Sequence, residues 1–192
     1  MIPSNFYPKV RLLAIVGGLA LAACVLGFMA THKPADAAFP GGKGKIAFHS
    51  RHISGLQDSE IYTITADGKI IKRLTNNVHD DEDATFSPDG RRIAFRSVRL
   101  GVPDIFTMKP SGARDTNVTK NALNEGSPAW SPDGTQITFV RSGDIYVINA
   151  NGTNERRLTE DPEIDFDPAW SPDGSKILFS RTCDAAFPCL RP

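Results

Sequence analysis

The sequence predicts an all-β fold, a partial β-propeller of just over three four-stranded blades with a hydrophobic leader helix before it. Three observations lead to this prediction. The phrase Ser-Pro-Asp-Gly ends at Gly90, at Gly134 and at Gly174, so its copies are 44 and 40 residues apart. Short runs of alternating apolar residues follow every copy. No helical periodicity is found after residue 40, which leaves strands as the predicted elements of the body.

The first element is the leader, residues 1–37, which carries the three parts of an export signal. Lys9 and Arg11 provide the basic start, and an uncharged apolar run of 19 residues follows. The small residues "ADAA" come next, and their A-x-A pattern predicts cleavage after Ala37.

Two alternatives stay open for the leader. The apolar run is nearly long enough to cross a bilayer uncut, so the leader is also a candidate membrane anchor. The stretch "LAAC" resembles a lipoprotein box, which makes Cys24 a candidate for lipidation. All three fates predict an extracytoplasmic body that is periplasmic, secreted or anchored to the outer face of the cytoplasmic membrane.

The body follows the leader. Residues 38–43 are predicted to be a linker, and residues 44–192 to be the partial propeller. Within each repeat, runs such as "RRIAFRS" place apolar residues at every second position, which is the period of a strand. The repeats are predicted at about 44–83, 84–127, 128–167 and 168–192, the last of them incomplete.

The repeated phrase is predicted to be a tight turn between strands. Proline presets the backbone, aspartate accepts a local N–H, and glycine takes the last position of a type I turn. The predicted turn residues are Asp89, Gly90, Asp133, Gly134, Asp173 and Gly174. The aromatic residues before the turns are predicted to pack between neighbouring sheets: Phe86, Trp130 and Trp170.

The motifs "DPAWSPDGSKILFS" and "GDIYVINANGTNERRLT" resemble the repeats of TolB-like propellers, a bacterial WD-repeat-like family. The resemblance covers residues 44 to about 181. It implies blades that run from an innermost to an outermost strand, a first blade without its innermost strand and a last blade that is unfinished. It also implies a protein or peptide partner in the cell envelope. The separate α/β domain of TolB has no counterpart here, and the chain is too short for a complete ring.

Charge and motif content argue against several functions. The formal net charge is zero, with 22 basic and 22 acidic residues, so nothing favours nucleic-acid binding. The motifs of serine hydrolases, P-loop proteins, dinucleotide-binding proteins and zinc peptidases are absent, and no cofactor is predicted. His49 and His52 lie on opposite faces of a predicted strand end, which is a poor arrangement for zinc.

The predicted function is therefore an exported, non-catalytic interaction module of the cell envelope. Two alternatives stay open. One is the propeller part of a larger enzyme, either a prolyl-oligopeptidase-type peptidase or a lyase. The other is a gene remnant without a function.

Three acidic residues are the candidates for a binding site. Asp81, Glu125 and Asp165 each lie five residues before the aromatic residue of their repeat. An acid in every blade at the mouth of the innermost strand predicts a weak cation or ligand site at one end of the channel. The alternative is a solvated loop acid that binds nearby backbone.

Two further features concern cysteines and association. Cys183 and Cys189 either form a disulfide across a short loop or stay as free thiols. An open arc of blades leaves two apolar faces uncovered. The burial energy that is not gained lowers the expected stability of the fold by an amount on the order of 10 kcal/mol. We therefore expect a homodimer formed by strand exchange, in which residues 168–192 of one chain complete the first blade of the other, or else a poorly soluble body.

Overall fold

The structure, a computed structural model, describes residues 44–51, 58–121, 123–160 and 162–182. These residues form thirteen strands in four antiparallel sheets, which confirms the predicted all-β fold. Within the described residues there is no helix with the length and apolar character needed to cross a membrane. The leader, the linker at 38–43, Cys24, His52 and the cysteine pair at 183 and 189 lie outside the described residues.

Each sheet is one blade of a propeller, and its strands follow one another in sequence order. Blade 1 consists of β1 (Lys45–Ser50), β2 (Glu60–Thr65) and β3 (Ile71–Arg73). Blade 2 consists of β4 (Asp81–Phe86), β5 (Ile93–Ser97), β6 (Asp104–Met108) and β7 (Thr116–Asn117). Blade 3 consists of β8 (Glu125–Trp130), β9 (Gln136–Arg141), β10 (Asp144–Asn149) and β11 (Arg156–Arg157). Blade 4 consists of β12 (Asp165–Trp170) and β13 (Ile177–Arg181).

The blades pack face to face, and their first strands come together. Strand β4 contacts β8, and β8 contacts β12 in turn. The first strands are therefore the innermost strands, which in a propeller line the central channel. This order agrees with the one implied by the sequence resemblance.

Two apolar cores fill the spaces between blades. Strand alternation sends Ile93 and Phe95 of β5 towards blade 1, where they meet Ile61. The residue between them, Ala94, faces the other way and meets Trp130 and Phe139 of blade 3. The second strands of blades 2 and 3, β5 and β9, are thus buried on both faces. Burial of each large side chain contributes roughly 1.5 to 3 kcal/mol to stability.

The predicted packing role of the aromatic residues is seen at two of the three positions. Phe86 packs against the core between blades 1 and 2. Trp130 is 8% exposed in the core between blades 2 and 3, and its Nε1–H donates to the Thr85 carbonyl at 3.3 Å. Trp170 holds the equivalent place in blade 4.

The repeated phrase forms a closed turn whose centre is its serine. The Ser87 hydroxyl donates to Asp89 Oδ1 at 2.7 Å and accepts the Arg92 N–H at 2.9 Å. The Gly90 N–H donates to the Ser87 carbonyl at 2.8 Å, and the Arg91 N–H donates to Asp89 Oδ1 at 3.0 Å. The same contacts recur around Ser131 and around Ser171.

The three turns also contact one another from blade to blade. A Cβ built on Gly134 would lie 3.7 Å from Pro88 Cδ, and one built on Gly174 would lie 3.7 Å from Pro132 Cδ. The glycine of each later turn thus lies against the proline of the turn before it. The three turn glycines have φ of 67°, 69° and 71°, a region that favours glycine.

Each innermost strand carries a β-bulge that the sequence did not predict. The pairing register of β4 with β5 shifts between Glu82 and Thr85, and the same shift recurs in blades 3 and 4. The bulge residues are Asp83, Ser127 and Asp167, with φ of 54°, 50° and 53°. A bulge bends the strand and re-aims its side chains, so these three residues occupy equivalent and unusual positions.

The two ends of the arc bear on the predicted strand exchange. The side chains of Ile46 in blade 1 and Leu178 in blade 4 are 57% and 76% exposed, so apolar groups do lie open on both outer blades. However, β12 already pairs with β13, from Asp165 opposite Arg181 to Trp170 opposite Ile177. For β12 to complete blade 1 of another chain, it would first have to leave β13.

Candidate functional site

The three candidate acids begin the innermost strands, and each of them is paired with an arginine. Asp81 meets Arg99 at 3.0 Å. Glu125 meets Arg141 at 2.7 Å, and Asp165 meets Arg181 at 2.6 Å. All three acidic side chains are 0% exposed. The alternative of solvated loop acids is therefore wrong, because burial in a strand removes these carboxylates from water and an arginine replaces the solvent.

Blade 3 holds the most extended of these pairs. Arg141 donates to Glu125 at 2.7 Å and, through both terminal nitrogens, to Glu155 at 2.5 and 2.6 Å. Its guanidinium lies over the rings of Phe139 and Tyr146, at 5.2 and 4.4 Å from their centres. The arginine is thus held by two carboxylates and two aromatic rings.

Glu125 also connects blade 3 to blade 2. Its Oε2 accepts the backbone N–H of Ile105 at 3.3 Å, and its other oxygen accepts the side-chain amide of Asn121. Burial raises the pKa of Glu125, and the hydrogen bonds from its partners oppose that shift. In blade 4 the balance is different, because the hydrogen bond from Arg181 lowers the pKa of Asp165.

Blade 2 forms the same ion pair from a different sequence position. Glu125 and Asp165 each lie directly opposite their arginine in the strand pairing, whereas Asp81 lies opposite Ser97. Arg99 comes two residues later and reaches back, and its Nε donates to the Ser97 hydroxyl at 2.8 Å. Sequence reasoning missed these arginines because the partners lie 16 to 18 residues away from their acids. An alignment of the arginines "FVR", "FSR" and "FRSVR" at the ends of the second strands would have found them.

This arrangement leaves the three carboxylates little capacity to bind a cation or ligand. Each carboxylate already forms an ion pair with an arginine. A cation could bind only by displacing that arginine from a buried ion pair. Within the described residues, no group of three or more histidine, cysteine or acidic side chains is placed to hold a metal ion. The geometry indicates that the acids hold the first two strands of each blade together.

A second set of residues, the bulge residues and one histidine, forms a polar row across all four blades. His49 Nδ1 accepts the Asp83 N–H at 3.2 Å. Asp83 Oδ2 accepts the Ser127 N–H at 3.2 Å, and the Ser127 hydroxyl donates to Asp167 Oδ1 at 3.4 Å. We call His49, Asp83, Ser127 and Asp167 the inner row, because three of them lie on the innermost strands.

The inner row is open to solvent and backed by charged groups. His49 and Asp167 are exposed, while Asp83 and Ser127 are partly exposed. Behind the row, Arg96 donates to Glu82 at 2.8 Å and to the Glu125 carbonyl at 3.2 Å. The row therefore presents carboxylate, hydroxyl and imidazole groups on a surface held in place by ion pairs.

A groove between blades 2 and 3 is a separate surface, at the end of the molecule that carries the turns. It has a volume of about 660 Å³. Arg91, Arg92 and Lys109 line one side, and Asn149 and Asn151 line the other. The basic residues make this groove suited to acidic groups, but none of its polar side chains is both buried and unpartnered.

Comparison with known proteins agrees with the geometry. The family model described as the TolB beta propeller domain matches residues 25–143 and 111–185. A relative from Chlorobium luteolum, described as a TolB homologue, is 37% identical over 51 residues. That stretch covers 27% of this chain and 12% of the relative.

Two solved structures show the same relationship in three dimensions. A protein assigned as TolB from Agrobacterium tumefaciens is 26% identical with a TM-score of 0.68, and the match covers 74% of this chain and 52% of that one. TolB from Acinetobacter baumannii is also 26% identical with a TM-score of 0.64, and the match covers 72% of this chain and 36% of that one. This chain therefore spans about half or less of these relatives. Because the family model matches well over half of the chain, the chain is a member of the TolB β-propeller domain family.

Proposed function

We propose that this chain is an exported, non-catalytic interaction module of the cell envelope, and that it binds a protein or peptide partner along the inner row. Membership of the TolB propeller family supports an envelope protein of this kind. The zero net charge of the chain supports a protein partner over a nucleic acid.

The observation that carries the proposal is the continuity of the inner row. Hydrogen bonds join His49, Asp83, Ser127 and Asp167 from one blade to the next, so the four groups hold fixed positions. Fixed donors and acceptors on an open surface are what a polypeptide partner needs, because its own backbone offers donors and acceptors at regular intervals. Pre-ordered side chains also lose little entropy when the partner binds.

A site-specific photo-crosslinking experiment in intact cells tests this proposal. A photo-reactive amino acid is placed at Asp167 in the inner row, with matched exposed positions at Arg156 on the outer strand and Arg91 in the groove. We expect distinct crosslinked envelope proteins from position 167 that are absent from position 156.

The crosslinking outcomes separate the functions. Products from position 91 alone would move the binding surface to the groove and contradict the inner row. The absence of products at both position 167 and position 91, with folded protein present in the envelope, would contradict partner binding and favour a remnant without a function. A Ser127→Arg change should reduce the products from position 167, since it places bulk and charge in the row.

A further inference from the structure

Blade 1 has an open edge next to an apolar cavity. Strands β5 and β9 pair on both of their edges, whereas β1 pairs only with β2 among the described residues. Beside the free edge of β1 lies a cavity of about 510 Å³. Ile46 and Ala47 of β1 line it on one side, and Ala84 and Phe86 of β4 on the other. The cavity thus lies where an innermost strand would be.

The other three blades show which residues occupy that place. In blades 2, 3 and 4, an isoleucine near the start of the second strand pairs with an aromatic residue seven positions earlier in the sequence. The pairs are Phe86 with Ile93, Trp130 with Ile137, and Trp170 with Ile177. The next residue of the second strand pairs with a small residue nine positions earlier, as Ala129 does with Thr138.

The same spacing, applied to blade 1, points to a segment just before the described strands. Seven positions before Ile46 is Phe39, and nine positions before Ala47 is Ala38. The sequence "DAAF" at 36–39 then aligns with "DATF" at 83–86 without a gap, and "KIAF" aligns with "RIAF". Asp36 falls at the position of the bulge residue Asp83.

We propose that residues 36–39 are the innermost strand of blade 1 and fill this cavity, in place of the predicted linker. The occupant suits the cavity, because the segment 37–42 is uncharged and contains the aromatic residue that the register requires. Its Pro-Gly-Gly sequence supplies turn residues where the other blades have Ser-Pro-Asp-Gly. The family match also begins at residue 25, before the first described strand.

This assignment makes the processing site part of the propeller. Cleavage after Ala37 would remove Asp36 and Ala37 from this strand and leave Ala38 and Phe39, the two residues placed by the register, at the start of the mature chain.

A disulfide-trapping experiment on the full exported chain tests the proposal. The three natural cysteines are changed to serine, and Phe39→Cys is combined with Ile46→Cys. Directly opposite residues of a non-hydrogen-bonded pair have the closest Cβ atoms, within reach of a disulfide. The matched control combines Phe39→Cys with Ser50→Cys, which lies on the same face of β1 about 13 Å further along.

We expect the first pair to oxidise within the chain and the control pair to keep its thiols, as measured by mass spectrometry and by non-reducing gels. A disulfide between two chains would overturn the proposal in favour of a strand donated by a second copy. A second pair, Ala38→Cys with Ala47→Cys, keeps the aromatic ring of Phe39, so it tests the same register without the loss of that side chain. Free thiols in both pairs would also overturn the proposal.

Discussion

At the scale of single residues, the serine of the repeated phrase closes the turn. Its hydroxyl donates to the aspartate two residues later and accepts an N–H five residues later, as Ser131 does with Asp133 and Gln136. One hydroxyl therefore joins both strands of the hairpin to the turn. The carboxylate of the aspartate accepts a further backbone N–H, from Thr135, so these hydrogen bonds of the turn all come from its own residues.

We predict that Gly90→Val lowers the free energy of unfolding by about 1 to 3 kcal/mol, because a β-branched side chain is strained at the φ of 67° found there. The adjacent change Arg91→Val is the control and should stay within about 0.5 kcal/mol of the original protein. Urea unfolding followed by tryptophan fluorescence measures both. Equal losses for the two variants would show that the turn backbone does not require glycine.

The turn aspartates also predict how stability depends on pH. Serine hydroxyls lower the pKa values of Asp89 and Asp133, and the hydrogen bond from Ser171 lowers the pKa of Asp173 to about 2. A carboxyl whose pKa is lower in the folded state stabilises the fold above its unfolded pKa near 4 and loses that contribution as the pH falls towards 2.

The matched variant for this prediction changes all three aspartates to asparagine, which keeps an acceptor oxygen but does not titrate. We expect the urea midpoint of the original protein to fall more steeply than that of the variant between about pH 6 and pH 2.5. Parallel pH curves would contradict a contribution from these carboxylates.

Much of the turn could be predicted from the sequence, and its closing contact could not. Proline, aspartate and glycine have turn preferences that act locally, so Asp133 and Gly134 were found from their neighbours alone. The role of Ser131 depends on a strand that pairs five residues later, which residue preferences do not contain. The left-handed backbone at Ser127 was missed for a similar reason, since serine has no strong preference for it.

At the scale of elements, a buried ion pair sets the register of the first two strands in blades 3 and 4. Glu125 lies opposite Arg141, and Asp165 lies opposite Arg181. A shift by one residue would send these side chains to opposite faces of the sheet and leave a buried charge without its partner. The ion pair and the bulge that follows it thus allow only one pairing.

We predict that Arg141→Leu lowers the free energy of unfolding by about 3 to 5 kcal/mol, because it leaves Glu125 buried without its partner. The double change with Glu125→Leu should recover a large part of this loss. Arg157→Leu is the control, since its pair with Asp144 is more exposed, and it should have little effect. Urea unfolding measures all three, and equal losses for Arg141→Leu and Arg157→Leu would contradict the prediction.

The existence and order of the strands could be predicted from the sequence, whereas the ion pairs between the three acids and their arginines could not. Alternation along "RRIAFRS" depends only on near neighbours in the sequence, so β5 was recognisable. The acids were recognised as equivalent, but their burial depends on partners contributed by another strand. Arg99 illustrates the difficulty, because its ion pair with Asp81 forms from a position that differs from those of the other blades.

At the scale of the whole molecule, the leader predicts export. We predict that a tagged chain is recovered from the envelope or periplasm and that its N-terminus is Ala38. The reason is the basic start, apolar run and A-x-A pattern of the leader. Cell fractionation with mass spectrometry of the N-terminus measures this, and intact protein recovered from the cytoplasm would contradict it.

Association depends on what completes blade 1. If residues 36–39 fill the cavity, blade 1 offers no vacant position, and a dimer would have to use the exposed outer faces instead. If a second copy fills it, the strand-exchanged homodimer stays a prediction with β12 or another segment as the donor. Light scattering of the full body with and without residues 168–192 tests these cases: a monomer contradicts strand exchange, and a dimer that survives the deletion contradicts exchange through β12.

The contact between successive turns has a consequence for how the number of blades can change during evolution. At both described joints the proline of one turn lies against the glycine of the next, so that a Cβ built on that glycine would lie 3.7 Å from the proline Cδ. The joint runs head to tail, so a blade copied by tandem duplication carries both the proline and the glycine that this contact needs. Blade number can change in steps of one, and later substitutions can diversify the inner row while the joint stays the same.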